Sequence, residues 1–180
     1  MRIIAGAWRA RPLDAPAGDA TRPTSDRARE GLFSMLASRI STFDGLRVAD
    51  LFAGTGALGL EALSRGAAHC TFIEKDRAAL DILNRNIARL GAQDRADVRA
   101  QAVEHAPPPA VPWDVVFLDP PYRSGLAAPA LARLSEPGWL APRAWVSVES
   151  AEPDLVPPPW IEPVVDRRFG KARIHLFRAA

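Results

Sequence analysis

Short apolar segments alternate with helix-forming segments through most of this 180-residue chain, and this alternation limits the fold more than any other feature. The apolar segments predict strands at 48–52, 70–73, 98–101, 113–118 and 144–149. The segments between them predict helices at 57–65, 77–90 and 125–134. Continuous apolar strands joined by helices are typical of a parallel sheet that is covered on both faces. The expected fold class is therefore α/β.

The C-terminal end departs from this alternation. Two β-forming segments, 164–169 and 172–178, flank the pair Gly170 and Lys171. A glycine-containing pair between two such segments is typical of a hairpin turn. We therefore expect the sheet to end in an antiparallel hairpin.

The first 45 residues also differ in character from the rest of the chain. Residues 2–13 predict a small β-hairpin, and Thr24 or Ser25 is suited to cap a following helix. That helix would bury an apolar stripe made of Ala28, Leu32, Met35 and Leu36. We therefore predict an N-terminal hairpin-and-helix appendage over 1–45 and a second domain over 46–180.

Composition excludes several classes of protein. Hydrophobic residues make up 48% of the chain and charged residues 24%, which is typical of a folded globular domain. We expect no membrane span and no secretory signal, because no apolar run is long enough for either. The single cysteine, Cys70, cannot form an internal disulfide, so we expect a reducing cytoplasm. The histidines and Cys70 show no metal-ligand spacing, so we expect no metal site.

Three glycines follow the first predicted strand and precede a predicted helix. Gly54, Gly56 and Gly59 have the spacing of a nucleotide-binding turn, in which the backbone turns tightly and approaches a ligand. Glu74 ends the next strand, where a carboxylate can accept hydrogen bonds from both ribose hydroxyls. Alone, this pattern fits an NAD-dependent enzyme and a methyltransferase equally well, and a plain glycine turn is the structural alternative.

Asp50 distinguishes between the two ligands. It lies near the end of the first strand, beside the position of a dinucleotide pyrophosphate, and its negative charge would oppose that anion. S-adenosyl-L-methionine presents an ammonium and a sulfonium there, and a carboxylate attracts both cations. The alternative role of Asp50 is to cap a helix or a turn.

The segment from Asp119 through Pro120 and Pro121 to Tyr122 is the sharpest chemical signal. It ends the fourth strand, so it faces the same crevice as the glycine turn. The prolines make the backbone rigid, and the Asp119 carboxylate and Pro120 carbonyl can accept both hydrogens of one exocyclic amine. The Tyr122 ring offers a stacking surface to a flipped base, worth about 1–3 kcal/mol. The alternative is a rigid turn with Tyr122 in the core.

Together, the glycine turn, Glu74 and the Asp-Pro-Pro-Tyr segment resemble class I methyltransferases that act on amino groups. Adenine-N6, cytosine-N4, guanine-N2 and protein-glutamine methyltransferases share such a tetrapeptide. The resemblance is narrowed to the RsmD-type 16S rRNA guanine-N2 methyltransferases by four segments, 2–11, 22–33, 51–65 and 138–150. The similarity to this family extends over nearly the whole chain. The proline-rich segment 153–163 is not diagnostic.

This resemblance implies a Rossmann-like class I fold with a mostly parallel, seven-stranded sheet. It implies methyl transfer from S-adenosyl-L-methionine to the N2 amine of one loop guanine, guanine 966, in small-subunit rRNA. The implied cofactor-binding residues are Thr24, Asp50, Phe52, Ala53, Gly54, Thr55, Gly56, Glu74, Lys75, Gln101 and Ala102. The implied catalytic residues are Asp119, Pro120, Pro121 and Tyr122. We expect a monomer whose partner is rRNA, either free or in a partly assembled subunit.

Basic residues collect at the two ends of the chain. Residues 1–13 and 167–178 hold eight basic side chains and no acidic one, although the whole chain has a net charge of only +2. Such a distribution favours a phosphate-rich partner. Our candidates for phosphate contacts are Arg9, Arg11, Arg22, Arg27 and Lys171. The alternative for each is a solvated basic surface.

Three other functions compete with this interpretation. A DNA adenine-N6 methyltransferase shares the tetrapeptide but needs a target-recognition region, and no insert here is long enough for one. An NAD-dependent dehydrogenase leaves the tetrapeptide unexplained and places Asp50 against the pyrophosphate. A non-catalytic RNA-binding module explains the basic ends but not the glycine turn.

Overall fold

Seven strands form the central sheet of the computed structural model, which describes residues 1–17, 26–150 and 155–180. The strands are β1 (Arg47–Leu51), β2 (His69–Glu74), β3 (Ala96–Ala100), β4 (Trp113–Leu118), β5 (Leu140–Ser150), β6 (Ile161–Phe169) and β7 (Ala172–Ala179). The α-helices in the described part of the chain are α1 (Asp26–Ala37), α2 (Ala57–Ser64), α3 (Arg77–Leu90) and α4 (Ala127–Leu134). None of these helices has the length and apolar character needed to span a membrane.

The strand order across the sheet is β3-β2-β1-β4-β5-β7-β6. Strands β1 to β5 are parallel, whereas β7 is antiparallel to both β5 and β6. This arrangement confirms the predicted mostly parallel sheet with a C-terminal antiparallel hairpin. Strands β2 and β3 are added in order on one side of β1, and β4 then pairs with β1 on its other side. The crevice between the ends of β1 and β4 is therefore the place where ligands bind in such sheets.

The helix after β2 begins and ends as the sequence predicts. The Asp76 side chain caps α3 by accepting a hydrogen bond of 2.8 Å from the Ala79 amide. Gly91 ends the helix in the left-handed region, with φ of 68°. Its apolar stripe, which includes Leu83 and Ile87, is buried against the sheet.

Strand β6 begins earlier than predicted, at Ile161 rather than at residue 164. It pairs with β7 across a register shift between Pro163 and Val165. Proline has no amide hydrogen for the ladder, so a sheet accepts it on an edge strand or at a bulge. Because β6 is an edge strand, it can include Pro163, with the register shift beside it, and so begins before the predicted segment.

Two clusters of buried side chains cover the two faces of the sheet. Val115 and Phe117 of β4 belong to the cluster beneath α1, α2 and α3. Val116 and Leu118 belong to the cluster beneath α4. This alternation along one strand is what a parallel sheet covered on both faces requires.

Residues 2–13 form a short, irregular hairpin. Arg2 and Pro12 form an antiparallel bridge, and the Ile3 amide donates across the hairpin to the Arg11 carbonyl at 3.0 Å. The amides of Ile4 and Ala5 donate instead to the Glu61 carboxylate of α2, at 2.8 and 3.0 Å. Amides that bond to a neighbouring helix cannot also extend the ladder, so the predicted hairpin is short and is anchored on α2.

Helix α1 buries the predicted apolar stripe of Ala28, Leu32, Met35 and Leu36. The proposed caps, Thr24 and Ser25, lie outside the described residues. Leu36 of α1 and Ile3 share one buried cluster with strand residues such as Val48. The N-terminal residues therefore pack directly on the sheet, while the domain boundary near residue 45 stays a prediction.

Candidate functional site

The carboxyl ends of β2, β1 and β4 meet at a cavity of about 490 Å³. It contains most of the site residues that the sequence predicts. Those that line it are Asp50, Phe52, Ala53, Gly54, Thr55, Glu74, Lys75, Gln101, Ala102, Asp119, Pro120, Pro121 and Tyr122. The strand order explains this assembly, because β1 pairs with β2 on one side and with β4 on the other. Residues distant in sequence thus share one edge of the sheet.

One of the predicted cofactor residues that the structure describes, Gly56, is not brought to the cavity. Gly56 does not line it but caps the N-terminus of α2, with φ of 84°. A side chain there would also place Cβ 2.3 Å from Leu83 Cδ1, so Gly56 is needed for the turn and for close packing. Thr24 lies outside the described residues, as does the phosphate-contact candidate Arg22.

Several residues line the cavity that sequence reasoning missed. They include Pro16, Ala79, Val103, Glu104 and Leu126. Glu104 lies three residues after the predicted Gln101, so extending the segment that follows β3 would have found it. Pro16 could not be found this way, because nothing local indicates that the N-terminal segment reaches the cavity.

The backbone is strained where the first strand enters the glycine turn. Phe52 has φ of 64° and Gly54 has φ of 56°, both in the left-handed region. Such a conformation costs a residue with a side chain about 1–3 kcal/mol and is concentrated at functional sites. Both residues line the cavity, so the strained backbone of Phe52 forms part of its wall.

Asp50 lines the cavity although its exposure is only 1%. Its carboxylate accepts a hydrogen bond of 2.9 Å from the Gly59 amide, in the first turn of α2. Burial raises the pKa of Asp50 well above its ordinary value, and the negative charges of Asp119 and Glu74 raise it further. Asp50 therefore serves both as the helix cap considered above and as a cavity wall.

Glu74 connects the glycine turn to the end of β2. Its carboxylate accepts hydrogen bonds from the amides of Gly54, Lys75 and Asp76, each 2.8 Å long. A carboxylate offers about four acceptor positions, so it retains capacity to bind a hydroxyl. Glu74 thus holds the turn in place while it lines the cavity.

The Asp-Pro-Pro-Tyr segment is tied down at both ends. The Asp119 amide donates to the Leu51 carbonyl at 3.5 Å, next to the glycine turn. The Tyr122 hydroxyl donates to the Glu149 carboxylate at the end of β5, at 2.9 Å. Glu149 is buried, with 7% exposure, and sequence reasoning missed it. These contacts hold the segment so that the Asp119 carboxylate and the Tyr122 ring both line the cavity.

The cavity is negatively charged. Among the described residues that line it, four are acidic, namely Asp50, Glu74, Glu104 and Asp119, and one is basic, Lys75. Such a lining attracts cationic or amine-bearing ligands and repels a pyrophosphate.

A buried asparagine supports the glycine turn from behind. The Asn86 amide nitrogen donates to the Thr55 carbonyl at 3.0 Å and to the Asp14 carbonyl at 3.1 Å. Its oxygen accepts from the Asp14 amide at 2.8 Å. Asn86 has no exposed surface and lies three residues after Leu83, on the apolar face of α3. A polar residue within an apolar stripe was the signal that could have identified it.

Replacing Asn86 by alanine should lower the free energy of unfolding by about 2–3 kcal/mol, because three backbone groups lose their partner. Chemical denaturation followed by circular dichroism measures this change. Asn84→Ala is the matched control, because Asn84 is exposed on the same helix and should change stability by less than about 0.5 kcal/mol. Equal effects of the two variants would contradict a supporting role for Asn86.

The candidates for phosphate contacts divide into two groups. Arg11 donates to the carbonyl of Arg89, in the last turn of α3, whereas the cavity is lined by Ala79 from the first turn. Ten residues of helix separate these two positions by about 15 Å. Arg9, also exposed, is two residues from Arg11, so neither is brought to the cavity.

Lys171 and Arg27 lie elsewhere. Lys171 is exposed in the turn between β6 and β7, at the same edge of the sheet as the cavity. Arg27 is exposed in the first turn of α1, which packs against both of these strands. Of the described candidates, only Lys171 and Arg27 lie near the hairpin formed by β6 and β7.

No group of three or more histidine, cysteine, aspartate or glutamate side chains is placed to hold a metal ion within residues 1–17, 26–150 and 155–180. Cys70 is buried in β2, and burial raises the pKa of its thiol.

Known proteins resemble this chain in both sequence and structure. A family described as Conserved hypothetical protein 95 matches residues 1–178. The ribosomal RNA small subunit methyltransferase D of Escherichia coli strain K12 is 46% identical over 150 residues, covering 83% of this chain and 74% of that protein. The protein of the same name from Haemophilus influenzae is 40% identical over 166 residues, covering 89% and 84%. The solved structure of yhhF from Escherichia coli superposes with a TM-score of 0.86 at 39% identity, covering 99% of this chain and 97% of that one.

Proposed function

Since this chain belongs to the RsmD family, we propose that it is an rRNA methyltransferase that uses S-adenosyl-L-methionine to methylate the N2 amine of guanine 966 in small-subunit rRNA. Its Rossmann-like class I methyltransferase fold agrees with this family. The observation that carries the proposal is the negatively charged cavity, in which the Asp-Pro-Pro-Tyr segment faces the glycine turn. The acceptor is rRNA, either free or in a partly assembled subunit, and we propose a monomeric enzyme.

The cavity residues fit S-adenosyl-L-methionine. A volume of about 490 Å³ lies within the range of small-molecule sites. When bound, this cofactor supplies an electrophilic methyl group on a positively charged sulfur. Asp50 would attract the cationic methionine end, and Glu74, which already accepts from three amides, would accept a hydrogen bond from one ribose hydroxyl. Gln101 and Ala102, also in the lining, would lie beside the adenine.

The same charges argue against a dinucleotide. A pyrophosphate at the glycine turn would lie beside the buried Asp50 carboxylate and near Asp119 and Glu74, the acids that already raise the Asp50 pKa. Adding an anion to this set would be unfavourable. An NAD-dependent reaction is therefore disfavoured by the electrostatics of the site.

Asp119 and Pro120 would position the reacting amine. A carboxylate and a carbonyl are both acceptors, so together they can hold the two hydrogens of an exocyclic amine. An amine held in this way directs its lone pair away from the two acceptors. The chain would thus accelerate transfer mainly by orienting the acceptor, a contribution of several kcal/mol.

Tyr122 would support the target base outside its stack. A loop guanine must leave its neighbours to enter a cavity, at a cost that is smaller for an unpaired nucleotide. The hydrogen bond from Tyr122 to the buried Glu149 fixes the ring before the base arrives. A fixed aromatic surface can repay part of the cost by stacking, about 1–3 kcal/mol.

Asp50→Asn should weaken binding of S-adenosyl-L-methionine by about tenfold or more, because it removes a charge that attracts the cofactor. The pKa of Asp50 is higher in the folded protein than in the unfolded chain, so the neutral carboxyl stabilises the ligand-free protein at low pH. This contribution to stability is lost as the pH rises through the folded-state pKa. A bound cation favours the ionised form, so binding should release protons and tighten as the pH rises through this range. Titration calorimetry in buffers of different ionisation enthalpy measures this proton release.

The matched control for this variant is Asp81→Asn, since Asp81 is exposed on α3. It should leave the affinity and the proton release unchanged. Proton release that persists in Asp50→Asn would show that another group titrates, and would contradict the role of Asp50.

The function itself is tested by transfer of tritiated methyl groups from S-adenosyl-L-methionine. The acceptors are naked 16S rRNA, small subunits from a strain lacking this gene, and duplex DNA. Methyl incorporation at the N2 position of guanine 966 in one of the rRNA forms is the expected result. Incorporation into adenine of duplex DNA instead would support the DNA methyltransferase alternative and overturn the proposal.

A further inference from the structure

The end of β6 and the turn that follows it carry exposed basic side chains. Arg167, Arg168 and Lys171 are all exposed. In the part of the chain that the structure describes, none of the three has a carboxylate within 4 Å. The nearby acid, Asp166, is already paired with Arg173, through a hydrogen bond of 2.6 Å from Nε. The turn therefore presents three positive charges to solvent.

Two of these side chains are held in place. The Arg167 guanidinium lies 5.7 Å from the centre of the Phe169 ring. The Arg168 Nε donates to the Gly170 carbonyl across the turn, at 2.8 Å. Side chains ordered in advance lose less conformational entropy when they bind a partner. This property separates the turn from an ordinary solvated basic surface.

Phe169 joins the turn to helix α1. A Cβ atom at Gly31 would lie 2.2 Å from the Phe169 ring, so the missing side chain allows the ring to pack against the helix. Glycine inside a helix costs about 1 kcal/mol relative to alanine, and this close approach explains its presence. Arg27 lies one helical turn before Gly31, on the same side of α1. Arg27 therefore adjoins the turn.

Arg27 and Arg167 lie on the α1 side of the sheet, whereas Arg168 points to the opposite side. With Lys171 in the turn they surround this end of the hairpin, and we call these four residues the basic ridge. Its position relative to the cavity follows from the strand register. Arg173, at the start of β7, pairs with Ser150 at the end of β5, and β5 adjoins β4, the strand that precedes Asp119. The ridge thus lies at the cavity edge of the sheet, and its β6 residues are three strand spacings, or about 14 Å, from β4.

We propose that the basic ridge binds the RNA backbone phosphates next to the target nucleotide. This inference rests on the proposed function and assigns it a docking surface. A nucleotide that leaves its stack keeps its flanking phosphates outside the cavity, where cations at the rim can contact them. Arginine and lysine groups supply these contacts without reading sequence. The acidic cavity selects the amine, while the ridge neutralises the backbone that carries it.

The test compares two double variants that remove the same charge. Arg168→Ala with Lys171→Ala removes half of the ridge. Arg39→Ala with Arg143→Ala removes two exposed arginines away from it. Both are assayed for thermal unfolding, for binding of S-adenosyl-L-methionine, and for methyl transfer at increasing concentrations of the 16S rRNA acceptor that the wild type methylates.

We expect the ridge variant to raise KM for RNA by about tenfold, with kcat and cofactor affinity unchanged within twofold. The slope of log affinity against log salt should become shallower by about 0.7–0.9 for each lost phosphate contact. The control variant should match the wild type in all these readouts. An unchanged KM and salt slope in a folded, cofactor-binding ridge variant would overturn this inference. It would leave the proposed function intact, because that function fails only if the wild type does not methylate rRNA.

Discussion

Replacing Asp119 by alanine should abolish methyl transfer, a loss of at least about 10²–10³-fold in kcat, while the affinity for S-adenosyl-L-methionine stays nearly unchanged. In the proposed function the Asp119 carboxylate would hold the reacting amine, whereas Asp50 and Glu74 would hold the cofactor. Removing it therefore leaves cofactor binding intact and leaves the amine without one of its two acceptors. Single-turnover transfer of tritiated methyl groups measures the rate, and calorimetry measures the affinity.

Asp94→Ala serves as the control, because Asp94 is exposed and lies beyond the C-terminus of α3, away from the cavity. It should retain full activity. Asp119→Asn restores one acceptor and should recover part of the rate. An equal loss of rate and cofactor affinity in Asp119→Ala would mean that Asp119 shapes the cofactor site, and would contradict the amine-holding role.

Replacing Glu61 by alanine should lower the free energy of unfolding by about 3–5 kcal/mol. Glu61 is completely buried in α2 and accepts a hydrogen bond of 2.8 Å from Nε of Arg65. It also accepts from the amides of Ile4 and Ala5, and it lies 3.9 Å from the buried Arg29. Its removal leaves Arg29 with less compensating charge in the interior and releases the N-terminal segment from α2.

Chemical denaturation measures this loss against Glu30→Ala, which removes an exposed carboxylate from α1 and should cost less than about 0.5 kcal/mol. Glu61→Gln keeps the shape of the side chain and an acceptor for one amide. Its loss of unfolding free energy should therefore lie between those of Glu61→Ala and Glu30→Ala. A loss below about 1 kcal/mol in Glu61→Ala would contradict this role, because it would show that Glu61 does not stabilise the buried Arg29 and the N-terminal amides.

Much of the fold and of the cavity follows from local sequence patterns. The continuous apolar strands predict a parallel sheet, and a parallel sheet brings the ends of its strands to one edge. For this reason Asp50, Glu74 and Asp119, though far apart in sequence, could be assigned to one crevice before the structure was known. The cap at Asp76 and the stop at Gly91 are local signals as well, and both were confirmed.

The contacts that local patterns do not reveal are those between distant segments. Asn86 supports Thr55 across 31 residues, and Glu149 holds Tyr122 across 27. The periodicity of α3 can single out Asn86 but not its partner, and no local pattern indicates that Glu149 pairs with Tyr122. Local sequence predicted the N-terminal hairpin, but it did not predict that the amides of Ile4 and Ala5 bond to α2, a partner more than 50 residues away.

Charge in the sequence predicted a basic surface but not its location. Arg9 and Arg11 are as basic as Lys171, yet Arg11 contacts the far end of α3 while Lys171 lies at the cavity edge of the sheet. Only the strand register and the packing of Phe169 on α1 distinguish these places. The role of each arginine in binding RNA therefore stays a prediction for mutagenesis.

A crystal structure with bound S-adenosyl-L-methionine tests the central claim most directly. We predict that its methionine end lies beside Asp50 and Gly54, that its ribose contacts Glu74, and that its methyl group faces Asp119 across the cavity. Density for the cofactor at any other place, or with its methyl group turned away from Asp119, would contradict the account.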